Sequence, residues 1–295
     1  MKDFDIVEKL KKIIPNAKFE FENERCTSVD LTDESYIFHG LIRNYSDTSK
    51  KEILQYISKF QNLKKLNLRK NKLLQIPDFD LYNLEFLDLG SNYLKKTPTF
   101  FKSSNLKYLN LGVNELKEIP EWFNDFSNLE TIKLHKNKLN SINNIDNCKN
   151  IKFFNIYFNL IKKIPDFIWN YKKVEFFSWG ISGITQISDK IANWENLNWL
   201  SLVSNKLETI PDCICFLKNI KGLRLHKNKI KYLPENIGLL DKLEQLTLYN
   251  NQIKNLPESF KYLKLKKLNI ARNKFEKKPI LYSDWLCYND FDCNW

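Results

Sequence analysis

The sequence predicts a solenoid, a single coil of short repeated units stacked on one another. Three observations predict it. First, a pattern LxxLxLxxNxLxxIP recurs between residues 63 and 279. Second, its asparagine slot falls at 71, 92, 114, 137, 159, 182, 205, 228, 251 and 273, in steps of 21 to 23, with serine at 182. Third, hydrophobic residues make up 43% of the 295 positions, enough for a continuous core, yet no run reaches the ~20 apolar residues of a membrane span. A fixed advance marks units that cannot bury their own apolar face and stack on neighbours instead.

Each slot of the repeat has a physical task. Side chains alternate along a strand, so the fourth and sixth positions, such as Leu66 with Leu68 and Leu87 with Leu89, face the core. The asparagine amide turns the chain out of the strand by pairing backbone groups that the bend would leave buried and open, at about 1–3 kcal/mol each. Proline then sets an extended start for the return segment. That segment re-enters the core through Phe123 and Phe126, Ile168 and Tyr171, Ile191 and Trp194, Ile214 and Leu217, and Cys148 takes the same inward slot as Phe126. Ser182, with one hydroxyl, supports its bend less fully than asparagine does.

The stretches LKYLNLGVNELKEIP (106–120), IKGLRLHKNKIKYLP (220–234) and LEQLTLYNNQIKNLP (243–257) carry a resemblance. The chain resembles the leucine-rich repeat family, in its intracellular 23-residue class, over about residues 53–279. The resemblance implies an α/β solenoid: a right-handed superhelix with a concave parallel β-sheet, a helical or 3-10 convex side, about ten repeats and terminal caps. Residues 1–62 read as the N-terminal cap, 63–279 as the repeats and 280–295 as the C-terminal cap. Within the first cap, DIVEKLKKII has helical spacing, and KFEFENERCTSVDL reads as a hairpin or a degenerate repeat with Val29 and Leu31 in core slots.

One repeat stands apart. VEFFSWGISGITQIS (174–188) keeps the spacing, lacks asparagine and proline, and gathers Phe176, Phe177 and Trp179. Phe177 and Trp179 fall in core slots. Phe176 joins an outward row at the third position, with Phe86, Tyr108, Phe153 and Trp199, while Gly180 and Gly183 are expected to clear space around it. At about 4.8 Å per strand, Phe86 to Trp199 would span about 24 Å. Tyr157, Phe158 and Tyr249 extend the aromatic surface, and Arg224 and His226 stand beside it. Exposed aromatic patches mark interaction sites. The expected function is therefore a non-catalytic protein-binding module that uses this row with flanking basic residues: Lys64, Lys65, Arg69 and Lys70 at one end, Lys266, Lys267 and Arg272 at the other. The resemblance implies a protein partner, such as a small GTPase-like or other signalling protein.

Other classes read less well. The net charge of +12 and the exposed rings allow a nucleic-acid-binding solenoid, but the lysines are dispersed, arginines are few and no recognised nucleic-acid motif occurs. A self-associating architectural protein is the other alternative, with Trp122 and Trp169 expected to be exposed on the convex side; otherwise the chain is expected to be a monomer. His135 and His226 fall about four strands apart, too far for joint catalysis, and His39, near Asp30 and Asp33, has no nucleophile motif. The six cysteines form no zinc spacing, and Cys213 and Cys215 are expected to face solvent. No cofactor or metal is expected. The start MKDFDIVEKLKKIIP has no signal-like apolar run, which points to the cytoplasm.

Overall fold

The computed structural model describes residues 2–32, 41–42, 44–78, 81–97, 105–143 and 145–277. Residues 280–295, His39 and Asp33 lie outside them. Two compact units are resolved, Met1–Ile151 and Lys152–Trp295.

The first unit begins with α1 (Asp3–Ile13), which places acids in its first turn and lysines in its last, as the helix dipole favours, and buries Ile6, Val7 and Leu10. β1 (Lys18–Glu22) and β2 (Arg25–Asp30) form an antiparallel hairpin. β2 then pairs in parallel with β3 (Lys65–Asn67), setting Val29 opposite Leu66. Hairpin and degenerate repeat are thus both true of this segment, and Val29 and Leu31 are buried. Between these strands α2 (Asp47–Ile57) is capped by the Ser46 hydroxyl, which accepts from the Ser49 N–H at 3.1 Å. β4 (Phe86–Asp88), β5 (Tyr108–Asn110) and β6 (Thr131–Lys133) continue the parallel sheet in register.

The second unit holds β7 (Phe153–Asn155), β8 (Phe176–Ser178), β9 (Trp199–Ser201), β10 (Gly222–Arg224), β11 (Gln245–Thr247) and β12 (Lys267–Asn269). Each pairs in parallel, without slip, with the next. Short 3-10 turns return the chain, and Pro165, Pro211 and Pro257 precede three of them in extended geometry. With three residues per turn, Ile168 and Tyr171 point the same way, and both are fully buried.

The asparagines bridge neighbouring turns. Asn205 accepts at Oδ1 from the N–H groups of Ser182, Gly183 and Ile184 at 3.0–3.2 Å. Its Nδ2 donates to the carbonyls of Leu202 (3.1 Å), in its own repeat, and Trp179 (2.8 Å), in the one before. Asn92, Asn114, Asn228 and Asn251 donate in the same two directions. Ser182 reaches only the Gly180 carbonyl of its own repeat, at 3.2 Å. The residue just before each asparagine slot is left-handed, whatever its type: Val113 (φ 59°), Phe158 (60°), Ile181 (50°) and Asn250 (56°) among them. For the β-branched Val113 and Ile181 that conformation is strained.

The odd repeat is an ordinary repeat with a larger interior. Phe177, Trp179 and Trp194 are fully buried, and the Trp179 indole donates to the Ile161 carbonyl at 3.4 Å. Cys148 is buried as its slot requires, donating to the Phe123 carbonyl at 3.3 Å. Two expectations fail. Trp169 and Cys215 are buried, not solvent-facing, because the slot one residue after the inward isoleucine faces the adjoining turn. The Trp169 ring packs 4.9 Å from that of Trp194. Only Cys213 of the CxC pair is partly exposed, and burial pushes the Cys215 thiol up to about 11.

Two stability measurements test this account. Asn205→Ala is expected to cost about 3 kcal/mol or more in urea unfolding, because buried carbonyls and N–H groups lose their partner. Ile181→Gly is expected to gain about 1 kcal/mol by relieving the left-handed strain; an unchanged or lower midpoint would refute the strain.

Candidate functional site

Strand alternation leaves the third, fifth and seventh positions of each repeat on the sheet face opposite the core. In the first unit Phe86 and Tyr108 stack there with centroids 4.3 Å apart and planes 9° from parallel. Lys133 donates to the Tyr108 hydroxyl at 3.0 Å. His135 lies across Gly112, where a Cβ would collide with its ring. Burial and neighbouring Lys133 and Lys136 hold that imidazole's pKa down, favouring the neutral form.

The second unit carries the other sequence-predicted residues. Phe153 and Phe176 stack at 4.2 Å, 5° from parallel. These rings stand side by side on adjacent strands, so their edges face outward. Trp199 instead leans over Gly222, where a Cβ would overlap the indole, and the Arg224 guanidinium sits over the indole, 4.7 Å from its centroid. In the seventh row Tyr157 lies across Gly180. Gly180 is therefore the seat of the Tyr157 ring, not clear space around Phe176; nothing lies within 4 Å of a Cβ built on Gly183. Phe158, held left-handed beside the row, is 49% exposed.

His226 and Tyr249 stack at 4.4 Å, and His226 Nδ1 shares a 2.9 Å hydrogen bond with the Thr247 hydroxyl. Burial, then Lys227 and Arg224, pull the His226 pKa down to about 4, so the ring is neutral near pH 7. Burial raises the Tyr157 hydroxyl pKa, with a smaller contribution from Tyr249. The Tyr157 hydroxyl is therefore held in its neutral form.

Between the aromatic rows run Ser178 and Ser201, 6% and 8% exposed. Neither hydroxyl has a hydrogen-bond partner among the described residues. Sequence reasoning noticed these positions only as small; their alternation with rings was the available signal. The basic flanks are weaker than the sequence suggests. Lys64 pairs with Glu22, Lys65 with Glu20 at 3.8 Å, and Lys266 with Glu244 at 2.8 Å. Among the described residues no cluster of His, Cys, Asp and Glu could hold a metal, and no helix is long and apolar enough to cross a membrane.

This geometry is that of a leucine-rich repeat solenoid, and known proteins agree. The Leucine Rich Repeat family profile matches residues 105–126 and 242–263. A leucine-rich repeat protein of Leptospira interrogans superimposes with a TM-score of 0.60 at 28% identity, over 75% of this chain and 70% of its own. The chain has the leucine-rich repeat fold. The ectodomain of the Arabidopsis receptor kinase HAESA, solved with a peptide hormone ligand, gives a TM-score of 0.74 at 22% identity, over 92% of this chain. This chain spans 49% of that ectodomain. A Listeria monocytogenes internalin gives 0.62 at 19% identity, over 76% of this chain and 64% of its own. No curated protein sequence matches.

The His226 geometry makes a pH prediction. Its folded pKa of about 4 lies below the unfolded value of about 6.5. Between those values the unfolded chain binds more protons, so this contribution is complete above pH 6.5 and is lost as pH falls toward 4. The change is expected to reach at most about 3 kcal/mol. Denaturant unfolding of wild type and His226→Asn at pH 7 and 4.5 measures it; equal losses in both proteins would refute the assignment.

Proposed function

We propose that the protein is a non-catalytic binding module that holds a protein partner on the face formed by the third, fifth and seventh rows, the concave face that the family resemblance implies. One observation carries this reading. In the second unit these rows combine stacked Phe153 and Phe176, Trp199 pinned under Arg224, and the Tyr157, His226 and Tyr249 rings. Rigid aromatic and arginine anchors are the side chains that dominate protein interfaces. Phe158 enlarges the apolar surface of this unit, and the first unit carries its own stacked pair, Phe86 with Tyr108. A small GTPase-like or other signalling protein is the partner class that resemblance suggests. We place the protein in the cytoplasm, a reducing compartment that suits its four described free cysteines.

The same geometry weighs against nucleic acid. Base stacking needs free ring faces, whereas Phe153 and Phe176 spend a face on each other and Arg224 covers Trp199. Self-association has one observation in its favour. Phe216, Leu239 and Tyr262 occupy one slot of consecutive repeats and are 61%, 48% and 63% exposed. Light scattering across concentration tests it, and a mass rising toward a dimer that Tyr262→Ser abolishes would favour that reading.

The binding face is tested by affinity capture from lysate with wild type and a Phe153→Ala, Phe176→Ala, Trp199→Ala variant, followed by titration of the captured protein. Loss of two or more anchors is expected to weaken binding at least tenfold. Unchanged affinity in a variant that still melts cooperatively would show that another surface binds.

A further inference from the structure

Within the second unit, the eighteen outward positions of β7–β12 and the seventh slots beyond them contain neither aspartate nor glutamate. Arg224 stands in the middle of this surface. It is exposed, its guanidinium is fixed over the Trp199 ring, and no carboxylate pairs with it among the described residues. A guanidinium is always charged and offers a planar fork of donors. Here its stacking contact costs it none of those in-plane donors. The neighbours in its row add to it. Register pairs Arg224 with Ser201, and Ser201 with Ser178, on adjacent strands, about 4.8 Å per step. As whole residues both serines are more than nine-tenths buried between ring-bearing rows, and neither hydroxyl has a hydrogen-bond partner among the described residues. The next hydroxyl in the row, Thr247, is already engaged by His226.

We propose that Arg224, seated over Trp199 and in line with the Ser201 and Ser178 hydroxyls, forms a subsite for one aspartate or glutamate side chain of an apolar-flanked partner segment. It rests on the reading of this face as a protein-binding surface. One fixed cation with two neutral hydroxyls balances a single negative charge. A phosphoryl group, with about −1.5 to −2 charges, calls for a cluster of cations, and the nearest alternatives do not supply one: His226 is neutral, and Lys227 reaches toward the Tyr249 ring at 6.0 Å. The walls are apolar, Phe176 and Trp199 on one side and Tyr157 on the other, so the residues flanking the acid are expected to be large and hydrophobic.

Panning a phage-displayed random peptide library on the full chain tests the subsite. The enriched peptides are expected to share one Asp or Glu between hydrophobic residues. For the tightest peptide, resynthesised and titrated, Arg224→Gln is expected to weaken binding about tenfold or more. Changing the peptide's acid to its amide should cost the same, and the two changes together should cost little beyond either one. Cooperative melting of Arg224→Gln at the wild-type temperature confirms that the fold is kept. Peptides without an acidic residue would overturn the subsite, as would tighter binding when phosphoserine replaces the acid. If Phe176→Ala weakens the peptide while Arg224→Gln does not, the binding face stands and the subsite falls. If neither change matters, both readings fall.

Discussion

The asparagine amide that links one turn to the next is the interaction on which the remaining geometry depends. A bend after a three-residue strand strands its carbonyls and N–H groups inside the coil, where each open group costs about 1–3 kcal/mol. An amide has two donors and an acceptor with two lone pairs on one rigid plane. Asn205 spends all of them at once, on its own repeat and on the one before. The repeat distance is therefore set by hydrogen-bond length and not by the size of the core side chains. That is why Trp179 can take a leucine slot, and Ser182 an asparagine slot, without shifting register between β8 and β9.

Fixed register has a consequence for the outward face. Residues at equal positions meet across adjacent strands, so each ring's posture is decided by what its neighbour offers. Where a ring follows a ring, they stack, as Phe86 with Tyr108 and Phe153 with Phe176 do. Where a glycine follows, the ring lies down over it: Trp199 over Gly222, Tyr157 over Gly180, His135 over Gly112. The glycines act by yielding volume to the preceding strand, and none of these three needs a left-handed backbone. The left-handed step falls one residue before the asparagine slot, where the sequence places lysine, valine, phenylalanine or isoleucine without penalty to the pattern.

Periodic constraints were legible in the sequence for this reason. A slot repeated every 21 to 23 residues announces its own task, so the core leucines, the bridging asparagines, Cys148 and the inward Phe177 and Trp179 could all be assigned before any coordinates. Trp169 and Cys215 could not, because their burial depends on how one 3-10 turn leans on the next, which no spacing encodes. The posture of outward rings was equally hidden: the same glycine that reads as free space at Gly180 is the seat of Tyr157. Ser178 and Ser201 looked merely small because burial of an outward side chain is decided by its neighbours' rings.

The charge of +12 illustrates the difference between composition and placement. Many of the charged side chains stand in ladders from repeat to repeat and add nothing to that net value: Lys107 faces Glu85 at 2.8 Å, Lys138 faces Glu115 at 2.9 Å and Lys231 faces Glu208 at 2.8 Å. Such exposed pairs add little stability and cancel one another at a distance. They are the expected result of a register that sets like positions side by side. Arg224 departs from that arrangement, since its row places the neutral Ser201 and Thr247 beside it where the ladders place a counter-ion. Its charge is left to an aromatic ring, which orients a cation without neutralising it. A surface that fixes a charge and withholds the acid is specific in a way that a dispersed lysine excess is not, and that local arrangement, more than the net charge, sets what the face can select.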